Sequence, residues 1–416
     1  MSTGGHFALL SQRARNASVS EIRELLKLLD QPNIISFAGG VPDASLFPTE
    51  VIRSATADAL GSTAIAKTLQ YSASEGYAPL REWIVMRLGL PQTSADRVLI
   101  TSGAQQALDI AARLTLDPGR TIVVTNPTYL GALQIFAHYE PRFVGVPLDE
   151  GGPQITALEA AFKDGAACFY VVTNFSNPSG ISVSDARRTQ ILELAREYQV
   201  AIIEDGAYDE IYFEERPSDS LFMRAQKGND GPCVLHCGTF SKTIAPSFRV
   251  GWLAGPLEIV RQAVLIKQAV DMHSGTLAQY VVNEVARAAF DEHTARLRQA
   301  YKARCQAMVA GLKASMPART GFVEPKGGFF VWLELPESVD GAELLKLAIA
   351  EYSLAFVPGE AFFCDRSCKN AIRLSFSTAA LSGIEAGTAR LGAALMEYER
   401  RGGANARADA RTATCG

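Results

Sequence analysis

Two hydrophobic periods take turns along this chain. Short, nearly unbroken apolar runs read as buried strands: Ile34–Phe37, Arg97–Thr101, Thr121–Thr125, Arg142–Pro147, Cys168–Val172, Val200–Asp205, Cys233–Cys237 and Val250–Ala254. Between many of them lie segments with apolar residues at helical spacing: Thr49–Gly61, the stretch up to Leu88 entered from the loop Tyr71–Arg81, the stretch after Ser102 through Leu116, Ile155–Phe162 and Ser184–Tyr198. Polar residues recur where the apolar strands end, which is how open α/β sheets assemble their sites.

The remainder follows other patterns. Ser18 and Glu21 form a capping box that opens a helix through Leu29, with Ile22, Leu25, Leu26 and Leu29 on one face and Arg23 on the other. A long helical passage from Pro256 to about Ser315, interrupted at Gly275, predicts a bridge between two domains. Beyond it, Gly321–Pro325, Gly328–Leu335, Leu354–Gly359 and the alternating Ala371–Ser377 read as strands of a smaller α+β unit. Gly383–Arg400 is the last expected helix, and the small, polar residues from Gly402 onward read as a disordered tail. The expected organisation is a flexible arm at 1–17, an N-terminal helix and strand at 18–50 belonging to the small domain, a large domain at 51–290, a small domain at 291–400, and the tail at 401–416.

Composition narrows the function. With 416 residues, 48% of them apolar, and a net charge of −4, the chain can build a large core and has no global drive toward nucleic acid or an anionic membrane. No apolar run reaches bilayer length, and the start lacks a secretory signal. The seven cysteines (Cys168, Cys233, Cys237, Cys305, Cys364, Cys368 and Cys415) are too sparse for a disulfide framework. With only five histidines spread along the chain, they read as reduced thiols of a cytoplasmic protein rather than as a metal site.

Lysine is scarce, 11 against 29 arginines, and Lys242 sits among Thr239, Ser241, Thr243, Ala245 and Pro246 with no acid beside it in sequence. Such an amine can lose its proton near neutral pH and attack a carbonyl. The hydroxyls before it and Arg249 after it suit a phosphate. Aldehyde and phosphate on one molecule point to pyridoxal 5′-phosphate (PLP), although a surface lysine in a loop would look similar. Asp205 ends an apolar strand, where a carboxylate needs a partner, and a pyridinium nitrogen would supply one. Tyr208 lies within reach of the same ring, while a plain cap of the next segment is the alternative for Asp205. The turn Ser102–Gly103–Ala104–Gln105 between strand and helix is an anion site in form, with Ser102 and Gln105 as a capping box. Tyr129 follows a turn and can stack on a flat ring or fill the core. Gly39 and Gly40 allow backbone to approach a ligand. Arg373, set between apolar neighbours in a strand, calls for a bidentate anion.

The series SGAQQALD, NPTY, NPSG, EDGAYDE, TFSKTIAPSFRVGW and IRLSFS, in this order over residues 10–400, resembles the fold-type I PLP-dependent aminotransferases of class I/II. The opening SVSEIRELLKLLDQPNIISFAGGVPD and the segment YSASEGYAPLR resemble the 2-aminoadipate aminotransferase branch. The resemblance implies an α/β fold with a mostly parallel seven-stranded sheet and a small domain drawn from both termini. It implies Lys242 as the Schiff-base lysine, Asp205 on the pyridine nitrogen, Tyr208 and Asn177 on the phenolic oxygen, and Tyr129 stacked on the ring. Backbone at Gly103, Ala104 and Gln105, with Thr239, Ser241 and Arg249, would hold the phosphate. Tyr71 would reach the partner's phosphate in a homodimer. Arg373, Asn177 and the Gly39–Gly40 backbone would take the substrate carboxylate, and Arg23 a side-chain carboxylate. At Thr173 and Asn174 the chain departs from the family pattern, and Asn174 adds a polar amide near the expected site, which leaves the side-chain preference open. The expected reaction is transfer of an amino group to a 2-oxo acid such as 2-oxoglutarate. A different PLP reaction on the same fold (elimination, decarboxylation or oxidation), a non-catalytic PLP sensor and a structural protein are the competing readings.

Overall fold

The computed structural model describes residues 33–61, 65–227 and 231–413, with His6, residues 9–11 and residues 14–15 before them, and side chains through Gly402. The expected helix opened by Ser18, and Arg23 within it, lie outside the described residues.

The first half of the chain runs β1 (Ile35–Ser36), α1 (Thr49–Gly61), α2 (Ile65–Leu69), α3 (Ala78–Arg87), β2 (Val98–Thr101), α4 (Ala104–Thr115), β3 (Thr121–Asn126), α5 (Leu130–Ala137), β4 (Arg142–Asp149), β5 (Gly152–Pro153), α6 (Ile155–Lys163), β6 (Ala166–Val172), α7 (Asp185–Glu197) and β7 (Ala201–Asp205). It continues with α8 (Leu221–Ala225), β8 (Val234–Thr239), β9 (Gly251–Ala254), α9 (Leu257–Asp271), α10 (Thr276–Ser315), β10 (Phe330–Glu334), α11 (Gly341–Tyr352), β11 (Leu354–Ala355), β12 (Val357–Pro358), β13 (Ala371–Ser375) and α12 (Leu381–Ala413).

The large sheet has the order β2-β9-β8-β7-β6-β3-β4-β5. Its strands run parallel except for β9, antiparallel to β2 and β8, and β5, antiparallel to β4. The eighth strand, against seven expected, is the two-residue β5, which folds back on β4 and is too short to show as an apolar run. Successive strand residues enter opposite cores, as the pleat requires. Ile100, Phe169, Ile202 and Val234 pack on one face, and Leu99, Tyr170, Ile203 and Leu235 on the other. Burial on both faces explains why these strands lack alternation in the sequence.

The helix α10 joins two cores. Val281, Val282, Val285 and Phe290 pack beneath the large sheet, whereas Leu297, Tyr301, Met308 and Leu312 belong to a second core with Phe329, Phe330, Leu374 and Leu395. Gly275 is its N-cap residue, where the sequence shows the interruption. The second core lies under the antiparallel sheet β10-β13-β12, and β1 pairs in parallel with β11, tying the segment before α1 to the C-terminal unit. Gly321–Pro325 forms only an isolated bridge from Gly321 to Glu334, not a strand. The last helix continues past Arg400 to Ala413, so the segment from Gly402 is helical where a disordered tail was expected; its alanines and arginines are good helix formers. Among the described residues no helix is long and apolar enough to cross a membrane.

Candidate active site

The strand ends β3, β6, β7 and β8 lie side by side, and each delivers one candidate group to the same region. Strand β7 ends at Asp205, which is 4% exposed. Its Oδ2 accepts a hydrogen bond from the Tyr170 hydroxyl at 2.9 Å, and its Oδ1 accepts from the Ala207 amide at 3.1 Å. Neither donor is charged. Burial pushes the carboxyl up to about 6, against the pull of those two hydrogen bonds.

Strand β8 runs into Lys242. That residue is half-buried, and burial of its amine brings it down to about 8. Its Nζ donates to the Gly40 carbonyl at 3.2 Å and lies 5.9 Å from the centres of the Tyr208 and Phe329 rings. Tyr208 is buried edge-on against Phe329 and Phe330, and its hydroxyl is hydrogen-bonded by Asn177. The Asn177 Oδ1 in turn accepts from Arg373 Nη1 at 2.9 Å, while Arg373 Nη2 donates to the Ala38 carbonyl at 2.6 Å. The Arg373 guanidinium is held between Phe330 and Phe362, 4.4 Å and 5.1 Å from their centres. Its Nε is buried with no partner. A Cβ on Gly40 would meet the Phe330 ring at 2.8 Å, so only glycine lets that backbone pass.

Three further groups border the site. Tyr129 caps α5 after β3, and burial followed by the Asp205 charge raises its phenol. Gly103 caps α4 at φ 79°, and a Cβ there would stand 2.7 Å from Arg249 Nη2, which donates to the Ser102 carbonyl at 3.3 Å. The Gly103 amide is already committed to the Thr101 carbonyl at 2.8 Å, leaving Ala104 and Gln105 as the first free amides of the helix. Thr239 and Ser241 hydroxyls meet at 2.9 Å beside this turn. Arg249 itself is exposed and has a left-handed backbone, φ 53°.

The Asn174 amide is used within the protein: its Nδ2 donates to Asp209 at 2.7 Å, and its Oδ1 accepts from Arg188 at 2.5 Å. With Asp209 and His236 it lines a separate cavity of about 340 Å³ that Lys242, Asp205 and Arg373 do not border. Ser102 and Gln105 form no capping box; Gln106 accepts the Ser102 amide at 2.8 Å instead, and the cap makes no side-chain hydrogen bond. Tyr71 stands apart at 76% exposed, its ring edge-on to His273 at 5.9 Å, and Gly39 is half-buried beside Gly40. Sequence reasoning missed Tyr170. A tyrosine in an otherwise apolar strand next to an acid-ending strand was the available signal, because a buried phenol needs a partner.

Residues 32–386 match the model of the aminotransferase class I and II family. The chain is a class I and II aminotransferase. It is 38% identical over 402 residues to an aromatic-amino-acid aminotransferase of Thermococcus litoralis, spanning 94% of this chain and 95% of that one. It is 39% identical to the 2-aminoadipate transaminase of Thermus thermophilus, spanning 92% and 95% of the two chains. The structure of the alpha-aminoadipate aminotransferase LysN of Thermus thermophilus, complexed with N-(5'-phosphopyridoxyl)-L-leucine, superposes with a TM-score of 0.87 at 37% identity, over 94% of this chain and 98% of that one. The aminotransferase is a fold-type I enzyme that uses PLP to move amino groups between amino acids and 2-oxo acids. The residues present fit that cofactor. A buried carboxylate lacks a cation, a buried lysine amine has one carbonyl partner, and a Cβ at Gly103 would crowd the Arg249 guanidinium.

Proposed function

We propose that this aminotransferase takes its amino group from 2-aminoadipate, glutamate, or an aromatic or aliphatic amino acid and passes it to 2-oxoglutarate, alternating two half-reactions in one site. The observation that carries this reading is the Arg373 guanidinium, buried with an unpartnered Nε and joined through Asn177 to Tyr208, whose ring lies 5.9 Å from the Lys242 amine. A carboxylate grip beside a base is what an α-amino acid requires.

PLP supplies an aldehyde that takes up the amino group and a protonated ring that accepts the electron pair left at the substrate Cα. Lys242 would bind it covalently, and Asp205 would hold the proton on the ring nitrogen. Tyr208 and Asn177 would donate to its phenolic oxygen, and Tyr129 would pack against the ring. The amides of Ala104 and Gln105 in the Gly103 turn, with Thr239, Ser241 and Arg249, would hold the phosphate. Arg373, Asn177 and the Gly39–Gly40 backbone orient the α-carboxylate. The neutral Lys242 Nζ removes the Cα proton as a base and returns one as an acid, a role suited by an amine that titrates near 8.

The active unit is a cytoplasmic homodimer in which Tyr71 reaches the partner's phosphate, and its 76% exposure supports that placement. Arg23 meets the side-chain carboxylate of acidic donors. A donor screen with 2-oxoglutarate, on wild type and Arg23→Ala, tests the assignment. Acidic donors should lose kcat/KM selectively in the variant, while aromatic and aliphatic donors keep theirs. Equal rates for acidic donors in both proteins would remove Arg23 from the site, and no turnover with any donor would remove the substrate class.

A further inference from the structure

Lys267 on α9 is fully buried, yet the reaction gives it no task. Its Nζ donates to Asp271 Oδ1 and Oδ2 at 2.8 Å and 2.9 Å, to Gln106 Oε1 at 2.9 Å and to Ser274 Oγ at 3.0 Å. The same Gln106 Oε1 accepts the Ser102 amide at 2.8 Å, and Gln106 Nε2 donates to Asp271 Oδ2 at 2.8 Å. The Ser102 hydroxyl meets Ser274 Oγ at 3.3 Å and Asp271 Oδ2 at 3.4 Å, while the Ser102 carbonyl accepts from Arg249 Nη2 at 3.3 Å. One ammonium therefore draws together helix α4, the turn after α9 and, through Ser102, the arginine at the mouth of the Gly103 turn. In that turn Met272 has φ 60° and ψ −59°, a strained backbone that must be held by its surroundings.

We propose that Lys267 is a positioning residue for the phosphate cradle, acting through Gln106 to fix Ser102 and hence the direction of the Ala104 and Gln105 amides. This rests on the reading that the Gly103 turn holds the PLP phosphate. A hydrogen-bonded ion pair is a stiff clamp because several donors and acceptors must give way together. A cradle so held needs no reordering when the phosphate enters, which is where preorganisation adds affinity. The turn also carries His273, whose ring meets Tyr71, so the clamp braces that tyrosine as well.

The test uses the holoenzyme, equilibrated by dialysis against decreasing PLP, with inorganic phosphate as competitor and the melting temperature recorded alongside. Lys267→Met removes the clamp. Gln106→Met keeps the Lys267–Asp271 pair and removes the glutamine's hydrogen bonds to Ser102, Lys267 and Asp271. Both should raise the Kd for PLP by about tenfold or more and weaken inhibition by inorganic phosphate in parallel. An unchanged PLP Kd in the folded variants overturns the proposal. So does a raised Kd with phosphate inhibition intact, which would mark a general defect of the pocket. Should Lys267→Met fail to fold, Gln106→Met decides alone. Arg249→Ala separates the two readings: if it leaves phosphate inhibition intact, the cradle itself is misplaced, and if it weakens inhibition while Gln106→Met does not, only the role of Lys267 falls.

Discussion

Glu204 and Asp205 are neighbours on β7, point to opposite faces of the sheet and are treated oppositely. Glu204 is completely buried and accepts from the Thr173 hydroxyl at 2.9 Å and from the Leu221 and Phe222 amides at 2.8 Å and 2.9 Å, the open N-terminus of α8. Asp205 receives one phenol and one amide and is driven toward its protonated form. The arginines divide in the same way. Arg188, 1% exposed, donates to the Val183, Thr173 and Asp219 carbonyls and to Asn174, whereas Arg373, 2% exposed, keeps an idle Nε. The lysines repeat it: Lys267 reaches four acceptor atoms and Lys242 one carbonyl. Charges that hold the fold are satisfied by the chain itself. Charges that face the cleft are left short, and a cofactor and substrate with complementary groups would complete them.

Substitutions break this contrast in opposite directions. Lys242→Ala should lower kcat by about 10⁴-fold or more while PLP stays bound, read by steady-state rates and by cofactor content after gel filtration. Asp205→Asn should lower kcat by about 10²–10³-fold, since the ring would lose the group proposed to keep it protonated. The same change should stabilise the protein stripped of PLP. With its carboxyl raised to about 6, folded Asp205 holds a proton that the unfolded chain has lost between about pH 4 and pH 6. Stability therefore falls as pH rises through that window and stays lower above it, by on the order of 1–3 kcal/mol. Denaturant unfolding of the stripped protein at pH 7.5 should show Asp205→Asn gaining that amount. Glu204→Gln should do the reverse, losing on the order of 1–3 kcal/mol because a donor replaces an acceptor opposite the Phe222 amide, with kcat of the folded enzyme little changed.

Much of the candidate site was legible because strand ends follow the local pattern: Asp205, Tyr129 and Lys242 each sit at or just past the end of an apolar run, whereas Asn177 was reached only through the family resemblance. Arg373 was legible as a charge inside a strand. The satisfied layer was not, since its partners are remote in sequence. Lys267 and Gln106 are 161 residues apart, and Asn174 and Asp209 are 35 apart. Nothing near Asn174 in sequence shows that Arg188 and Asp209 use up its amide. The helix α11 and the short α2, α5 and α8 also went unread, their apolar spacing being too brief or too close to neighbouring strands for the period to declare itself.

The most direct measurement is borohydride reduction of the purified holoenzyme, followed by proteolysis and mass spectrometry of the peptides. The pyridoxyl group should be recovered on the peptide containing Lys242 and should be absent from Lys242→Ala. Its recovery on Lys267 or any other lysine, or on none, would contradict the assignment of the unsatisfied amine as the cofactor's anchor.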